Sequence, residues 1–442
     1  MIKLRHGDFK VWQHHRGTTY VRLPLIMFAG LMLALVGLTV TLWSVKRKPD
    51  TYLQVGNAGE IRALIPSIVG ITQGSLEQGN KVEVLENGDG FFPRLMSDIA
   101  AARETVHIES YIWWDGAMPH RLAELLAQKA RQGVEVRLLV DASGGHKMSN
   151  DTEKLMTGAG VRVTRFHPIR FKNLGRLNNR DHRKEVIVDG QIGYIGGYGI
   201  ADEWTGHAQD RNHFRDTGLR VEGPVVNDLQ GAFCENWIEA TGEVPAGVKY
   251  FKKLPAAGPT PAHVAYTSPT GSVSSVQVLY YLAIKAARHE ILIENPYLLP
   301  DQDAIDALYD AVRRGVSVKI LVPATASTDS AIVQHASHHH FGTLLKRGVR
   351  VFEYQPTLVH QKLMVVDGLW SCVGSTNFDD RSFQLNDEIS MGVVDTSIAS
   401  RLAAAFNADV QNAQERHFDE WQNRPLWHKV VDGLAYLAHG QL

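Results

Sequence analysis

An eleven-residue stretch occurs twice in this chain. It reads RQGVEVRLLVD from Arg131 and RRGVSVKILVP from Arg313. In each copy a glycine stops a helical run, and alternating apolar residues then start a strand. The elements around the two copies also recur in the same order. In the first half the spacing predicts a short strand at Val82–Leu85, a helix over Phe91–Ala102 and a strand at Val106–Ile112. A helix over Leu122–Gln132, a strand at Val134–Val140, a short helix ending near Gly160 and a strand at Val161–Phe166 follow. In the second half Glu290–Leu298 answers to Val106–Ile112. A helix over Ala304–Arg314, a strand at Val316–Val322, a helix over Ala331–Lys346 and a strand at Val349–Tyr354 complete the echo. A repeat of about 180 residues is the size of a domain and too long for a solenoid unit. Alternating strands and helices imply an α/β layered sandwich. The expectation is therefore an internal duplication, with halves at 81–253 and 254–442 and a seam at the Pro/Gly/Ala-rich segment Leu254–Pro261.

Each half carries a motif of its own. In the second it is VHQKLMVVDGLWSCVGSTNFDDRSFQLNDE, from Val359 to Glu388, with His360, Lys362, Asp367, Gly374, Ser375 and Asn377 at the spacing H-x-K-x4-D-x6-G-S-x-N. In the first it is HRKEVIVDGQIGYIGGYG, where His182, Lys184, Asp189 and Gly196 keep the spacing, but Gly197 and Gly199 stand where the serine and asparagine stand in the other copy. Both read as β-hairpins around an Asp-Gly turn. Residues i and i+2 of a strand face one side, so each histidine shares a face with its lysine. Two such pairs at matching places of a duplication suggest one site across a pseudo-twofold axis.

The residue types suit phosphodiester chemistry. One imidazole can attack phosphorus while the other protonates the leaving alkoxide. Two lysines neutralise the non-bridging oxygens, and Ser375, Asn377 and the backbone N–H of Gly197 are candidate phosphate donors. The lysines supply the positive charge, so neither a metal nor a cofactor is expected. Asp189 and Asp367 belong to the motif and are counted with the catalytic set, although their place suits fixing the turn better. A carboxylate would hold each imidazole in one tautomer. Glu388 follows His360, and Asp216 takes the comparable place after His182, which makes these two the candidate orienting acids.

On these two motifs the chain resembles the phospholipase D superfamily over Asn80 to about Gln422. The stretches VEVLENGDGFFPRLMSDIAAARETVHIESYIW, RVEGPVV, FEYQP and GSTNFDDRSFQLNDE narrow the resemblance to bacterial cardiolipin synthases. The resemblance implies two phospholipase D-like halves and a covalent phosphatidyl-histidine. It implies phosphatidylglycerol as donor and acceptor, cardiolipin and glycerol as products, and His182 as nucleophile with His360 as acid/base. A phospholipase D-type hydrolase or nuclease, and a weakly active lipid-binding homologue, draw on the same residues. The missing asparagine at Gly199 departs from the family pattern and bears on the substrate or acceptor.

The remaining features bear on location and partners. Leu23–Val45 carries no charge, follows a basic segment at 1–22 and precedes Lys46, Arg47 and Lys48. It reads as an uncleaved transmembrane anchor at 23–45, placing the protein in the bacterial inner membrane as a single-pass protein. The connector at 46–80 carries Ile61, Leu64, Ile65 and Ile68 at helical spacing, for a membrane surface or for the domain. The basic run Arg162, Arg165, Arg170, Lys172, Arg176, Arg180, Arg183 and Lys184 suits anionic lipid headgroups. With a net charge of −1 the whole chain is no polyelectrolyte, and no nucleic-acid partner is expected. His335, His338, His339 and His340 diverge around a helix with no acidic cluster in sequence beside them, which argues against a metal site. Pro425–Leu442 is amphipathic and fits either a membrane surface or packing on the domain. Trp113 and Trp114 are expected in the core. Cys234 and Cys372 are expected as buried thiols.

Overall fold

The computed structural model describes residues 19–45, 53–56, 59–168, 179–269 and 274–437. The chain divides into Met1–Arg47 and a compact unit, Lys48–Leu442. The first contains a helix, Thr19–Val45, of 27 residues. Its described side chains, 25–39, are exposed, Leu33 by 73%. Among the described residues no helix is long and apolar enough to cross a membrane. The expected span Leu23–Val45 reaches past those side chains at both ends, and its flanking basic residues Lys46, Arg47 and Lys48 lie outside the described residues.

In the compact unit one sheet of fifteen described strands runs through both halves. At its centre Glu77–Glu86 pairs antiparallel with Thr260–Thr267. Outward from Glu77–Glu86 come Thr217–Glu222, Ile192–Gly196, Lys184–Val188, Thr105–Ser110, Glu135–Asp141 and Arg162–Phe166. Outward from Thr260–Thr267 come Glu388–Val394, Trp370–Gly374, Leu363–Val366, Glu290–Glu294, Ser317–Pro323 and Arg350–Tyr354, with Ala413–Arg416 added at the edge. The two series visit their strands in the same order. The segment Leu254–Pro261 runs into the central pairing, so the halves share a sheet instead of lying apart as separate domains.

Both faces of this sheet are covered, and the strands alternate between them as the two-residue period requires. Ile187 faces one apolar cluster while Val186 and Val188 face another. Leu363 and Val365 likewise face away from Met364 and Val366. The shared cluster takes Leu229, Phe233 and Trp237 from the helix Val226–Thr241 and Leu402 and Phe406 from Thr396–Val410, so helices of both halves pack on a common core. The connector's helix, Ile61–Ile71, buries Ile61, Leu64, Ile65 and Ile68 in a cluster with Val276, Leu279 and Ala283. Of its two expected positions it takes the domain. Trp113 and both cysteines are buried as expected.

Candidate active site

The two hairpins aim the chemistry. The first pairs Lys184–Val188 with Ile192–Gly196, and the second pairs Leu363–Val366 with Trp370–Gly374. Their turns hold Asp189 and Gly190 at φ +53° and +59°, and Asp367 and Gly368 at +53° and +60°. Two successive positive φ values are what a tight hairpin of this hand needs, and Asp-Gly tolerates them. The turn carboxylates point away from the histidines. Asp189 accepts the backbone N–H groups of Arg103, Glu104 and Thr105, at 2.7–2.9 Å for the best contact of each. Asp367 does the same for Arg288, His289 and Glu290 at 2.7–3.0 Å. Each clamps its turn to the start of the next strand, roughly 15 Å along a five-residue strand from the lysine. Counting them with the catalytic set is corrected here: their oxygens are spent on the backbone.

His182 and His360 lie just ahead of the strands, not within them. The strand ladder starts at Lys184 and Leu363. Lys184 Nζ donates to His182 O at 2.8 Å, and Lys362 Nζ to His360 O at 2.7 Å, so each ammonium folds back beside its own imidazole.

Backbone pairing between the halves then brings the motifs together. Short parallel bridges join Asp181 to Asp387 and Arg215 to Val359. His182 N donates to Asp387 O at 2.9 Å, and His360 N to Arg215 O at 2.8 Å. The residue after each bridge is the acid of one half, set against the histidine of the other. His182 Nδ1 lies 2.9 Å from Glu388 Oε1, and His360 Nδ1 lies 3.0 Å from Asp216 Oδ2. Sequence order had suggested acid and histidine from the same half. The pairs are crossed, because the inter-half bridges, and not the hairpins, set which carboxylate reaches which ring.

The two pairs are supported differently. Ser375 Oγ donates to Glu388 Oε2 at 2.5 Å and accepts from Ile389 N at 3.0 Å. Its expected role as a phosphate donor is corrected accordingly, since its proton is given to Glu388. Asp216 receives Trp204 Nε1 at 2.9 Å and Thr217 N at 2.8 Å. Trp204 was not foreseen. It ends a short turn, Asp202–Trp204, and is 2% exposed. A Cβ on Gly197 would come within 2.4 Å of Asp216 Oδ1 and 2.8 Å of His360 O. A Cβ on Gly199 would come within 2.9 Å of Trp204 Cζ3. The missing asparagine at Gly199 therefore leaves room for the indole, the bare Gly197 lets Asp216 approach closely, and the indole N–H takes over the contact with the acid that a serine makes in the other half. Two glycines in an otherwise intact motif were the available signal. Asn377 keeps its place in the second half, and its buried Oδ1 has no hydrogen-bond partner among the described residues.

Aromatic rings flank the histidines. Tyr111 meets His182 and Trp204 meets His360 edge to face, each with centroids 5.0 Å apart. Burial, then the charges of Lys184, Lys362 and Arg381, pushes His182 well below the ordinary histidine range. Burial and Lys362 lower His360 to about 4 against the opposing pull of Asp216. Burial also lowers Lys362 to about 7 and Lys184 to about 8, and it raises Glu388 to about 7. The site is a desolvated concentration of cations, and an anion between the lysines would relieve it. With Nδ1–H given to a carboxylate, each imidazole keeps its lone pair on Nε2.

Other expected residues lie elsewhere. Arg162 pairs with Glu243, Arg165 with Glu153, and Arg183 is fully buried against Glu235. These members of the basic run are spent within the protein, while Arg170, Lys172 and Arg176 lie outside the described residues. His335 and His338 do gain an acidic neighbour, Asp432 from the C-terminal helix. Their ligating atoms and its carboxylate lie within 4.8 Å of one another. Both ring nitrogens of His338 face carboxylates, Nε2 at 2.8 Å from Glu353 and Nδ1 at 3.7 Å from Asp432.

A family model described as "Cardiolipin synthase, PLD-like domain" matches residues 95–233 and 280–410, and each segment contains one histidine–lysine hairpin. The chain belongs to this family of the phospholipase D superfamily. It is 34% identical over 360 residues to cardiolipin synthase 2 of Bacillus anthracis, covering 81% of this chain and 70% of that relative. It is 33% identical over 366 residues to the major cardiolipin synthase of Bacillus subtilis, covering 81% and 75%. Among solved structures, the phosphatidylserine synthase of Haemophilus influenzae matches with a TM-score of 0.67 at 12% identity, over 84% of this chain and 98% of that one. At that identity the likeness speaks for the shared fold. The two matched segments fall on the two runs of repeated strand order.

Proposed function

We propose that this chain is a membrane-anchored phosphatidyltransferase that makes cardiolipin from two molecules of phosphatidylglycerol. The observation that carries the reading is the crossed pair of buried dyads, His182–Glu388 and His360–Asp216, with a lysine beside each ring. His182 Nε2 attacks the phosphorus of the first phosphatidylglycerol. The P–O bond to the headgroup glycerol breaks, and His360 gives the departing alkoxide its proton. The phosphatidyl group is then held on His182. A hydroxyl of a second phosphatidylglycerol attacks, His360 takes its proton, and the P–N bond breaks to release cardiolipin.

The lysines make this possible in two ways. Ligand-free, their charge and burial hold the imidazoles neutral, which suits a nucleophile. A bound phosphodiester offsets that charge and allows one imidazole to carry a proton. Asn377 and the backbone N–H of Gly197 serve the non-bridging oxygens. The two halves are copies of one unit related by a pseudo-twofold axis, and Leu23–Val45 anchors them in the bacterial inner membrane as a single span.

Incubation of the purified protein with labelled phosphatidylglycerol, read by mass spectrometry, tests this. Cardiolipin and glycerol in equal amounts are expected, with none from His182→Ala or His360→Ala. Phosphatidic acid as the sole lipid product would make the protein a hydrolase and overturn the transfer. Cleavage of single-stranded DNA in place of lipid would move it to the nuclease branch.

A further inference from the structure

The helix Leu426–Tyr436 and the residue after it have the polarity of a surface helix reversed. Asp432, the one carboxylate of this helix, faces the protein and is 2% exposed. It lies 2.9 Å from His335 Nδ1 and accepts from Arg424 at 2.9 Å. Beyond it His338 bridges to Glu353, which is in turn held by Arg416. Burial opposes a charge on His338, but its bonds to Asp432 and Glu353 outweigh this and raise it above the ordinary histidine range. A row of ionic contacts therefore fastens the polar side inward. The outward side carries Leu426, Trp427, Val430, Leu434 and Leu437, exposed by 76%, 61%, 59%, 62% and 80%. At about 100° per residue these five fall within one arc of about 100°, and Asp432 lies opposite.

Two further observations choose the occupant. With Asp432 turned inward, the remaining formal charge on this helix is that of half-buried Lys429, whose Nζ donates to Gln422 O, so the edge of the apolar face carries one cation and no carboxylate of its own. The helix is also continuous with the site. Ala435 packs on Leu299, Val333 and Ala336. Leu298–Leu299 pairs as a strand with Phe378–Asp379, the residues directly after Asn377. The inward side of the helix thus leads to the wall of the phosphate site, and a surface resting on the outward side would lie one helix diameter, about 10 Å, beyond it.

We propose that the apolar face of this helix docks into the headgroup region of an anionic bilayer and presents lipid to the site. A stripe of large aliphatics with a tryptophan and a lysine at its edge is the chemistry of a helix lying in that plane. The proposal takes its lipid substrate from the function above, yet the docking itself is measured without turnover.

The experiment uses the full chain in vesicles. Val430→Cys carries an environment-sensitive fluorophore, and Glu124→Cys, on an exposed helix of the first half, carries the same probe as a control. In phosphatidylglycerol vesicles the probe at 430 should shift to the blue and be quenched by nitroxides on the acyl chains. The probe at 124 should stay in water. Lys429→Glu should weaken the quenching. Val430→Glu with Leu434→Glu should slow turnover of vesicle lipid by about tenfold while leaving dispersed short-chain phosphatidylglycerol within about twofold. A water-like spectrum at 430 overturns the proposal. So does a shift that depends on protein concentration and not on lipid, which would make the face an interface with a second copy. An equal loss on both substrates overturns it as well. Quenching at 430 in a protein that makes no cardiolipin would leave the docking standing and defeat the transferase reading alone.

Discussion

His182 and Glu388 are 206 residues apart in sequence, and their side chains meet at 2.9 Å between Nδ1 and Oε1. Each half lends its acid to the other half's histidine. The reciprocal contact, His360 to Asp216, is 3.0 Å. A site built this way is complete only when both halves are folded and joined.

Replacement of either acid by its amide should therefore disable the histidine of the other half. Glu388→Gln removes the acceptor that holds His182 with its lone pair on Nε2. Accumulation of the phosphatidyl-histidine should fall by roughly 10²–10⁴-fold, as orienting carboxylates of catalytic histidines do when neutralised. Asp216→Asn should slow both the formation and the discharge of that adduct, because His360 moves the proton in each step, so the adduct level should fall less than overall turnover. Acid-quenched protein analysed by mass spectrometry for phosphate on His182 separates the two. Loss of the adduct in Asp216→Asn but not in Glu388→Gln would reverse the assignment of nucleophile.

Trp204→Phe keeps the ring against His360 and deletes the N–H to Asp216. A hydrogen bond to a buried carboxylate contributes about 1.5–3 kcal/mol, so a loss of about ten- to a hundredfold in turnover is expected. Asp216 without this donor becomes a better acceptor for His360, and the ring of His360 should titrate higher than its present value of about 4, as read by NMR. Phe with an unchanged titration and rate would reduce Trp204 to packing.

The pH dependence of kcat/KM should be a narrow bell. His182 is held neutral by its lowered pKa, but Glu388, raised to about 7 by burial, must be ionised to accept its Nδ1–H, so Glu388 sets the acid limb. The lysines must be charged, and Lys362, lowered to about 7 by burial, sets the alkaline limb. Bound phosphodiester restores the charge, so the alkaline limb of kcat should lie higher than that of kcat/KM. An alkaline limb of kcat/KM near the ordinary lysine range would show that the lysines are hydrated.

Asp189→Ala and Asp367→Ala should act on stability. Each removes an acceptor of three backbone N–H groups at a residue held at positive φ. A loss of about 2–3 kcal/mol in unfolding free energy is expected. The turnover number of the protein that remains folded should change little. A collapse of turnover at unchanged denaturation midpoint would return these aspartates to the reaction.

Much of the architecture could be read from local pattern. The repeat beginning at Arg131 and Arg313, the Asp-Gly turns and the two histidine–lysine spacings depend on near neighbours in sequence, and the hairpins lie where those patterns put them. The histidines sit two and three residues ahead of their strands because the ladder begins only where the partner strand does. Part of the basic run is less available than its composition suggests. Composition counts the charge of Arg162, Arg165 and Arg183 but not the carboxylates that neutralise it, and Glu243, Glu153 and Glu235 come from distant segments.

The sequence by itself determined the paired histidine–lysine spacings and the repeated pattern of strands and helices around them. Spacing of a few residues fixes which side chains share a hairpin, and that is a local matter. The tertiary structure decided who meets whom. Bridges at Asp181–Asp387 and Arg215–Val359 crossed the acids between halves, space at Gly197 admitted Asp216, and space at Gly199 admitted Trp204. It also turned the C-terminal helix so that Asp432 faces His335 and its leucines face outward. Contacts between residues far apart in sequence depend on how strands align across the whole sheet, and no short window of sequence carries that information.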